Sequence, residues 1–348
     1  MLVTAPLLSF LLANIPISDN SSSKMPELSA NAMTITKLLR YAVKGLSGDE
    51  LSSVTITHSE KTFPDDRRFA LFKESSPKVF DDNDPQWLHK ENFLCAFSDP
   101  EMMADFQSSY EIVKCEESSE IKRLLTLRRK CEGGEDSRVE YKHVLGPVDL
   151  NTEAGREELS DFFAQPHLAN QKLQCISQQM SADHTHQFGN TTSSRLNKKG
   201  CDSRSMHLVN EATVRDVEEK FGTKLNATRF RPNIVVDGLE AWKEFDFVGK
   251  KLRIVNKNKT EGSPNNDGLV LKVLMRAVRC EGVGVDPFDP TTKLDIPQML
   301  SKHFREHGPY LGVYAVVECD TAPEDFEFNL NVGDRIELIE DHADLFKF

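Results

Sequence analysis

The sequence predicts an α+β protein that is mostly β, with a closed or nearly closed β-barrel interrupted by helical insertions. Short apolar runs of strand length dominate the second half, and only a few helix patterns separate them. Composition is that of a globular protein, with 39% hydrophobic and 28% charged residues. A chain of 348 residues is long enough for two domains.

The elements follow in order. Residues 2–17 are apolar, and the first basic residue is Lys24. That run is shorter than the ~20 residues a membrane span needs and lacks the basic start of a signal peptide. Residues 1–33 are therefore expected to be a targeting, disordered or extension segment. Val54, Thr55, Ile56 and Thr57 alternate as a strand does, and Phe69, Ala70, Leu71 and Phe72 read as a buried strand. Residues 121–129 mix apolar with basic side chains and give no clear type. A helix is expected within 151–165, with Leu159, Phe162 and Phe163 on its apolar side. Residues 178–205 are polar and read as a long loop. A well-marked helix follows, with Asn210 as N-cap, Val214, Val217 and Phe221 as its stripe and Gly222 as its stop. Strands are then expected at 234–236, 251–255, 270–278, 312–317 and 335–339. A polar insertion lies at 256–267, and a helix beginning with Pro297 is expected over 297–307.

Charge and cysteine usage narrow the function. A net charge of −12 argues against non-specific binding to nucleic acid or an acidic membrane. The seven cysteines, Cys95, Cys115, Cys131, Cys175, Cys201, Cys280 and Cys319, form no C-x-x-C pattern. Free thiols in a reducing compartment, cytoplasmic or mitochondrial, fit best. The sequons at Asn20, Asn190, Asn226 and Asn258 would matter only in a secreted protein.

Two segments carry chemistry. Cys280 follows Arg279 at the end of an apolar run and precedes Gly282, Gly284 and the Asp286-Pro287 turn. A neighbouring guanidinium can activate a thiol, and a soft thiolate suits a soft metal or sulfur transfer. A small buried hydrophobe is the plainer reading of a free cysteine. Upstream, Arg229 and Arg231 flank Phe230. In an extended segment they would share a face and could grip one anion. Solvated charges at a strand start are the plainer alternative. Lys44 and Arg67 are further basic residues at turn-like positions. His184 and His186 could be a metal pair, though no third ligand is near in sequence. Residues 189–195, with Lys198 and Lys199, could cradle phosphate through backbone N–H groups.

These residues resemble a known family. The segments 41–45, 66–69, 230–233, 279–280, 312–314 and 332–334 are similar, in order, to the MOSC superfamily. That family is named for the C-terminal domain of molybdenum-cofactor sulfurase and includes the mitochondrial amidoxime-reducing component. The resemblance spans residues 35–339 and is more specific in the second half. It implies an N-terminal MOSC-type β-barrel domain over 34–150 and a MOSC domain over 151–348. It also implies molybdenum cofactor, a pterin carrying a phosphate, as the ligand. Cys280 matches the family's cysteine that ligates metal or carries sulfur. Lys44, Arg67 and Arg231 match positions that contact pterin and phosphate, and Asn233, Arg279 and Tyr314 fall at the same pocket. The implied function is an oxidoreductase acting on N-hydroxylated or N-oxide-type small molecules. Electrons would come from a separate donor protein, cytochrome b5-like or ferredoxin-like. The alternative is a sulfur carrier or cofactor-handling protein with a persulfide on Cys280. Gly45, and Ala277-Val278 before Arg279, depart from the pattern of the amidoxime reducers. Neither a fused iron–sulfur domain nor a Lys-centred pyridoxal-phosphate site, as in the full sulfurase, is expected.

Overall fold

The computed structural model describes residues 33–115, 120–131, 140–178, 186–189, 204–257, 268–288, 293–318 and 326–339. The first half contributes strands β1 (Met33–Arg40), β2 (Asp49–Leu51), β3 (Ser53–Thr57), β4 (Phe69–Lys73) and β5 (Phe93–Leu94), then helix α1 (Pro100–Ala104). After it come β6 (Phe106–Lys114), β7 (Ile121–Cys131), β8 (Glu140–Asp149), α2 (Glu153–Ala164) and β9 (Leu173–Ser177). The second half holds β10 (Met206–Asn210), α3 (Glu211–Phe221), β11 (Ile234–Asp237), β12 (Lys251–Val255) and β13 (Leu269–Val278). It ends with α4 (Ile296–His303), β14 (Tyr310–Val317), β15 (Glu327–Asn331) and β16 (Arg335–Ile339).

Seven strands close one mixed barrel, in the order β1, β11, β10, β14, β13, β12, β16 and back to β1. Closure removes the unpaired edges that an open sheet would present. Period-two burial sets the register. Leu252 and Ile254 on β12 and Leu269, Leu271 and Val273 on β13 point into one core with Ile35, Leu208, Ile234 and Val313. The one parallel pair in the ring, β10 with β11, needs a crossover, and α3 supplies it. Asn210 caps that helix by accepting from Ala212 N at 3.1 Å, and Gly222 stops it at φ 67°. Val214 and Val217 cover the outer sides of Val209 and Val235, so β10 is buried on both faces.

Smaller sheets complete the fold. β5, β4 and β9 form one, β3 pairs with β15, and β6, β7 and β8 form a three-stranded meander. The stretch of unclear type at 121–129 is thus strand β7. Its mixed composition reflects a meander whose inner side chains Leu125 and Leu127 pack on Leu159 and Phe163 of α2. The second closed barrel expected over 34–150 is not present among the described residues. β1 is used to close the main barrel, β2 pairs with β1, and β3 to β9 pair in twos and threes. These pairings cross residue 150, since β4 joins β9 and β3 joins β15. Among the described residues no helix is long and apolar enough to cross a membrane.

Candidate functional site

A cavity of about 340 Å3 opens beside the barrel where β10, β13 and β14 meet the turns after β1 and β3. Its size lies in the range of small-molecule sites, ~300–1,000 Å3. Lys44, Arg67, Arg231, Asn233, Arg279, Cys280 and Tyr314 all line it, and among the described residues no aspartate or glutamate does.

The two central arginines are held by backbone geometry as well as contacts. Arg67 and Arg231 both adopt left-handed conformations, φ 52° and 55°. A non-glycine residue keeps such a conformation only when its surroundings hold it there. Arg67 donates to Asn233 Oδ1 at 3.1 Å and to the carbonyl of Arg231 at 2.9 Å, and it pairs with Asp66. Burial opposes its charge, but Asp66 together with Tyr314 and Tyr41 raises its pKa. Asp66 is fully buried, accepts from Tyr41 N at 2.8 Å and is bonded by Gln187 Nε2 at 3.0 Å. Arg231 lies over the Tyr41 ring, 4.2 Å from its centroid, and donates to the Leu46 carbonyl at 2.7 Å. Burial pulls its pKa down to about 10, with Arg67 adding to the effect against the opposing Tyr41. Burial in turn raises the Tyr41 phenol to about 12.

Lys44 is half-buried, and its ammonium has no hydrogen-bond or acid partner among the described residues; it lies 5.3 Å from the Phe93 ring centroid. Burial lowers its pKa, Cys95 opposes that, and Arg231 and Arg67 add to the lowering. Asn233 is a hub rather than a free ligand. Its oxygen accepts from Arg67 and from His207 N at 3.1 Å, and its amide donates to the Leu39 carbonyl at 3.1 Å.

Arg279 donates to the Phe230 carbonyl at 3.2 Å, while its Nη1 lies 3.2 Å from His207 Nε2. A guanidinium only donates, so Nε2 accepts and the ring proton sits on Nδ1, 3.4 Å from the Arg231 carbonyl. Burial, then Arg279 and Arg67, hold the His207 pKa well below its usual value, so the ring is neutral. Gly312, at φ 76°, makes room for it. A Cβ there would lie 2.5 Å from His207 Nε2. The Arg279 Nε is buried without a partner among the described residues.

Cys280 is exposed and begins the short 3-10 turn Glu281–Val283. Backbone packing fixes this turn, since a Cβ on Gly284 would lie 2.5 Å from the Leu294 carbonyl oxygen. Arg229 fixes it further, donating to the Gly284 carbonyl at 2.7 Å and pairing with Asp286 at 2.8 Å. The expected fork of Arg229 with Arg231 is therefore corrected. Arg229 lies in the 3-10 turn Ala227–Phe230, not in an extended segment, so the two side chains do not share a face. Arg229 is buried beneath the Cys280 turn and only Arg231 lines the cavity.

Several cavity residues have no local sequence signal. Cys95, His207 and Gln187 arrive from distant segments, as do Trp87, Lys90, Phe97 and Phe188. Of the proposed histidine pair, His184 lies outside the described residues. His186 is buried against Phe188, with ring centroids 4.8 Å apart. No cluster of three His, Cys, Asp or Glu side chains suited to a metal ion occurs among the described residues. Of the phosphate-cradle segment only Gly189 is described, and a Cβ on it would lie 3.2 Å from Arg67 Cδ.

The fold and cavity define a β-barrel domain with a cationic pocket, free of acidic side chains among the described residues, and a free thiol on its wall. Residues 183–337, in the C-terminal half of the chain, match the family model of the MOSC domain. Among solved structures, YiiM from Geobacillus stearothermophilus is similar at 16% identity over 39% of this chain, with a TM-score of 0.26. The match covers 54% of that protein, so this chain spans about half its length. No curated protein matches the sequence.

Proposed function

We propose that the cavity binds molybdenum cofactor and that the protein is a molybdenum-dependent oxidoreductase for N-hydroxylated or N-oxide-type small molecules. The observation that carries this reading is the convergence of Lys44, Arg67, Arg231, Arg279 and an exposed thiol on a cavity with no carboxylate among its described lining residues. The donor set fits the group. Lys44 brings an ammonium without a partner among the described residues, and Arg279 brings a buried N–H in the same condition. A phosphate supplies acceptors for both kinds of donor. Cys280 is a soft sulfur ligand for the metal. When bound, the group supplies two-electron redox chemistry at the metal. Lys44, Arg67 and Arg231 bind the phosphate end. Asn233 and His207 hold Arg67 and Arg279 in place, and Tyr314 packs against His207 with ring centroids 5.2 Å apart. Electrons come from a separate donor protein in this reading.

The test is molybdenum content by elemental analysis, on protein from a cofactor-producing host, with Cys280→Ala alongside. Near-stoichiometric metal in the parent and its loss in the variant are expected. The variant's stability should stay within about 0.5 kcal/mol because Cys280 is exposed. Full retention of metal by the variant would falsify the ligand assignment. No metal in either, with cyanide-labile sulfur on Cys280, would move the function to sulfur carriage.

A further inference from the structure

We propose that the outer wall of the cavity is a subsite for a planar aromatic ligand bearing a carboxylate, and that Lys90 pairs with that carboxylate. This wall comes from residues 87–97 and 188, none of which belongs to the set matched to the cofactor. Trp87, Leu88, Phe97 and Phe188 give it an apolar, largely aromatic surface. Flat rings stack on such surfaces.

Lys90 is the charge on this wall that nothing in the described structure uses. Its ammonium sits 3.3 Å from the centroid of the Phe97 ring and has no acid partner among the described residues. Its neighbour His89, by contrast, lies 3.2 Å from the Glu91 carboxylate. The backbone under Lys90 is fixed. It begins the 3-10 turn Lys90–Asn92, Ser76 Oγ bonds Asn92 Oδ1 at 2.7 Å, and the Lys90 carbonyl faces Cys95 Sγ at 3.8 Å. An ammonium held over an aromatic face keeps part of its shell open to an anion.

The wall also touches the Cys280 turn. A Cβ on Gly282 would lie 3.3 Å from the Ala96 carbonyl oxygen and 3.5 Å from Phe97 Cα. A ring laid on Phe97 therefore lies next to the turn that carries the thiol. One ammonium over a π face suits a monovalent, planar carboxylate better than a phosphate, which takes several donors at once. The inference rests on the proposed cofactor reading in one respect: it leaves Lys44, Arg67 and Arg231 to the cofactor's phosphate.

Calorimetric titration with benzoate and with benzamide, in excess inorganic phosphate to occupy the other basic residues, tests the subsite in the parent and in Lys90→Met. The parent should bind benzoate more tightly than benzamide. The variant should lose about tenfold in benzoate affinity, with benzamide unchanged. Unchanged benzoate binding, an equal loss for both ligands, or binding of neither would overturn the subsite. Molybdenum content should be equal in parent and variant, and loss of metal from Lys90→Met would reassign Lys90 to the cofactor. The titration reads out with or without metal. A metal-free parent would defeat the cofactor reading while the subsite is still decided.

Discussion

The two walls of the cavity are built by different rules. On the barrel side, Arg67, Asn233, His207 and Arg279 are bonded to one another and to backbone carbonyls contributed by β1, the turn before β11 and β14. On the outer side, Trp87, Leu88, Lys90 and Phe97 are half-exposed. A wall of charged groups beside a barrel core persists only if nearly every donor is met, because unpaired buried charge is costly. A wall of aromatic groups carries no such demand and can vary with the ligand. In the proposed reading the barrel side sets where an anion sits, and the outer side sets what else can enter.

Asp66 gives the largest expected effect. It is the carboxylate behind the barrel wall, fully buried and shared by Tyr41 N, Arg67 and Gln187. Asp66→Asn leaves Arg67 without its counter-charge and should cost about 3 kcal/mol of stability by urea unfolding. Trp87→Ala on the half-exposed outer wall should cost under ~1 kcal/mol. Equal costs for the two would erase the contrast between the walls.

The pH dependence of stability sharpens the same contrast. His207 in the barrel wall has a pKa well below 6.5, so the unfolded chain takes up more protons in acid. Its contribution to stability is lost as pH falls below 6.5. Glu244, bonded to Asn210 and Thr213 away from the cavity, has the opposite sign. Burial raises its pKa from 4.5 to about 7. Its contribution is present below pH 4.5 and is lost as pH rises to about 7. Glu244→Gln should therefore steepen the fall in stability toward acid, and His207→Asn should flatten it. Thermal unfolding at pH 5 and pH 7.5 reads both slopes, and parallel profiles for the two variants would refute the assignment.

What the sequence could reveal follows from how local each signal is. Strands β12 and β13 were legible because their period-two pattern matches a barrel with one buried face. Helix α3 was legible because its cap, stripe and stop are all within thirteen residues, Asn210 to Gly222. The basic positions Lys44, Arg67 and Arg231 could be singled out by type and by resemblance. The inward turn of Arg229 could not, because it depends on Asp286 and the carbonyl of Gly284, more than fifty positions away. His207 was invisible for the same reason. Inside the strand Met206–Asn210 it reads as one more core residue, and only Gly312 and Arg279 give its ring a role. The outer wall is least legible, since Trp87, Phe97 and Phe188 come to the cavity from separate segments, and only Phe97 packs beside Gly282.

The smallest expected effect separates charge in general from charge in the cavity. Arg215 on α3 is more than half-exposed and pairs with Asp237 at 2.8 Å. Solvent screens such a pair, so Arg215→Ala should change stability by less than ~0.5 kcal/mol and leave molybdenum content untouched. Arg231→Ala removes an equal charge from the cavity and should lower metal retention during gel filtration. If the reading rested only on the protein's overall electrostatics, both variants would lose metal alike. The contrast is expected because Arg231 is locked between Tyr41 and the Leu46 carbonyl, where water screens it least.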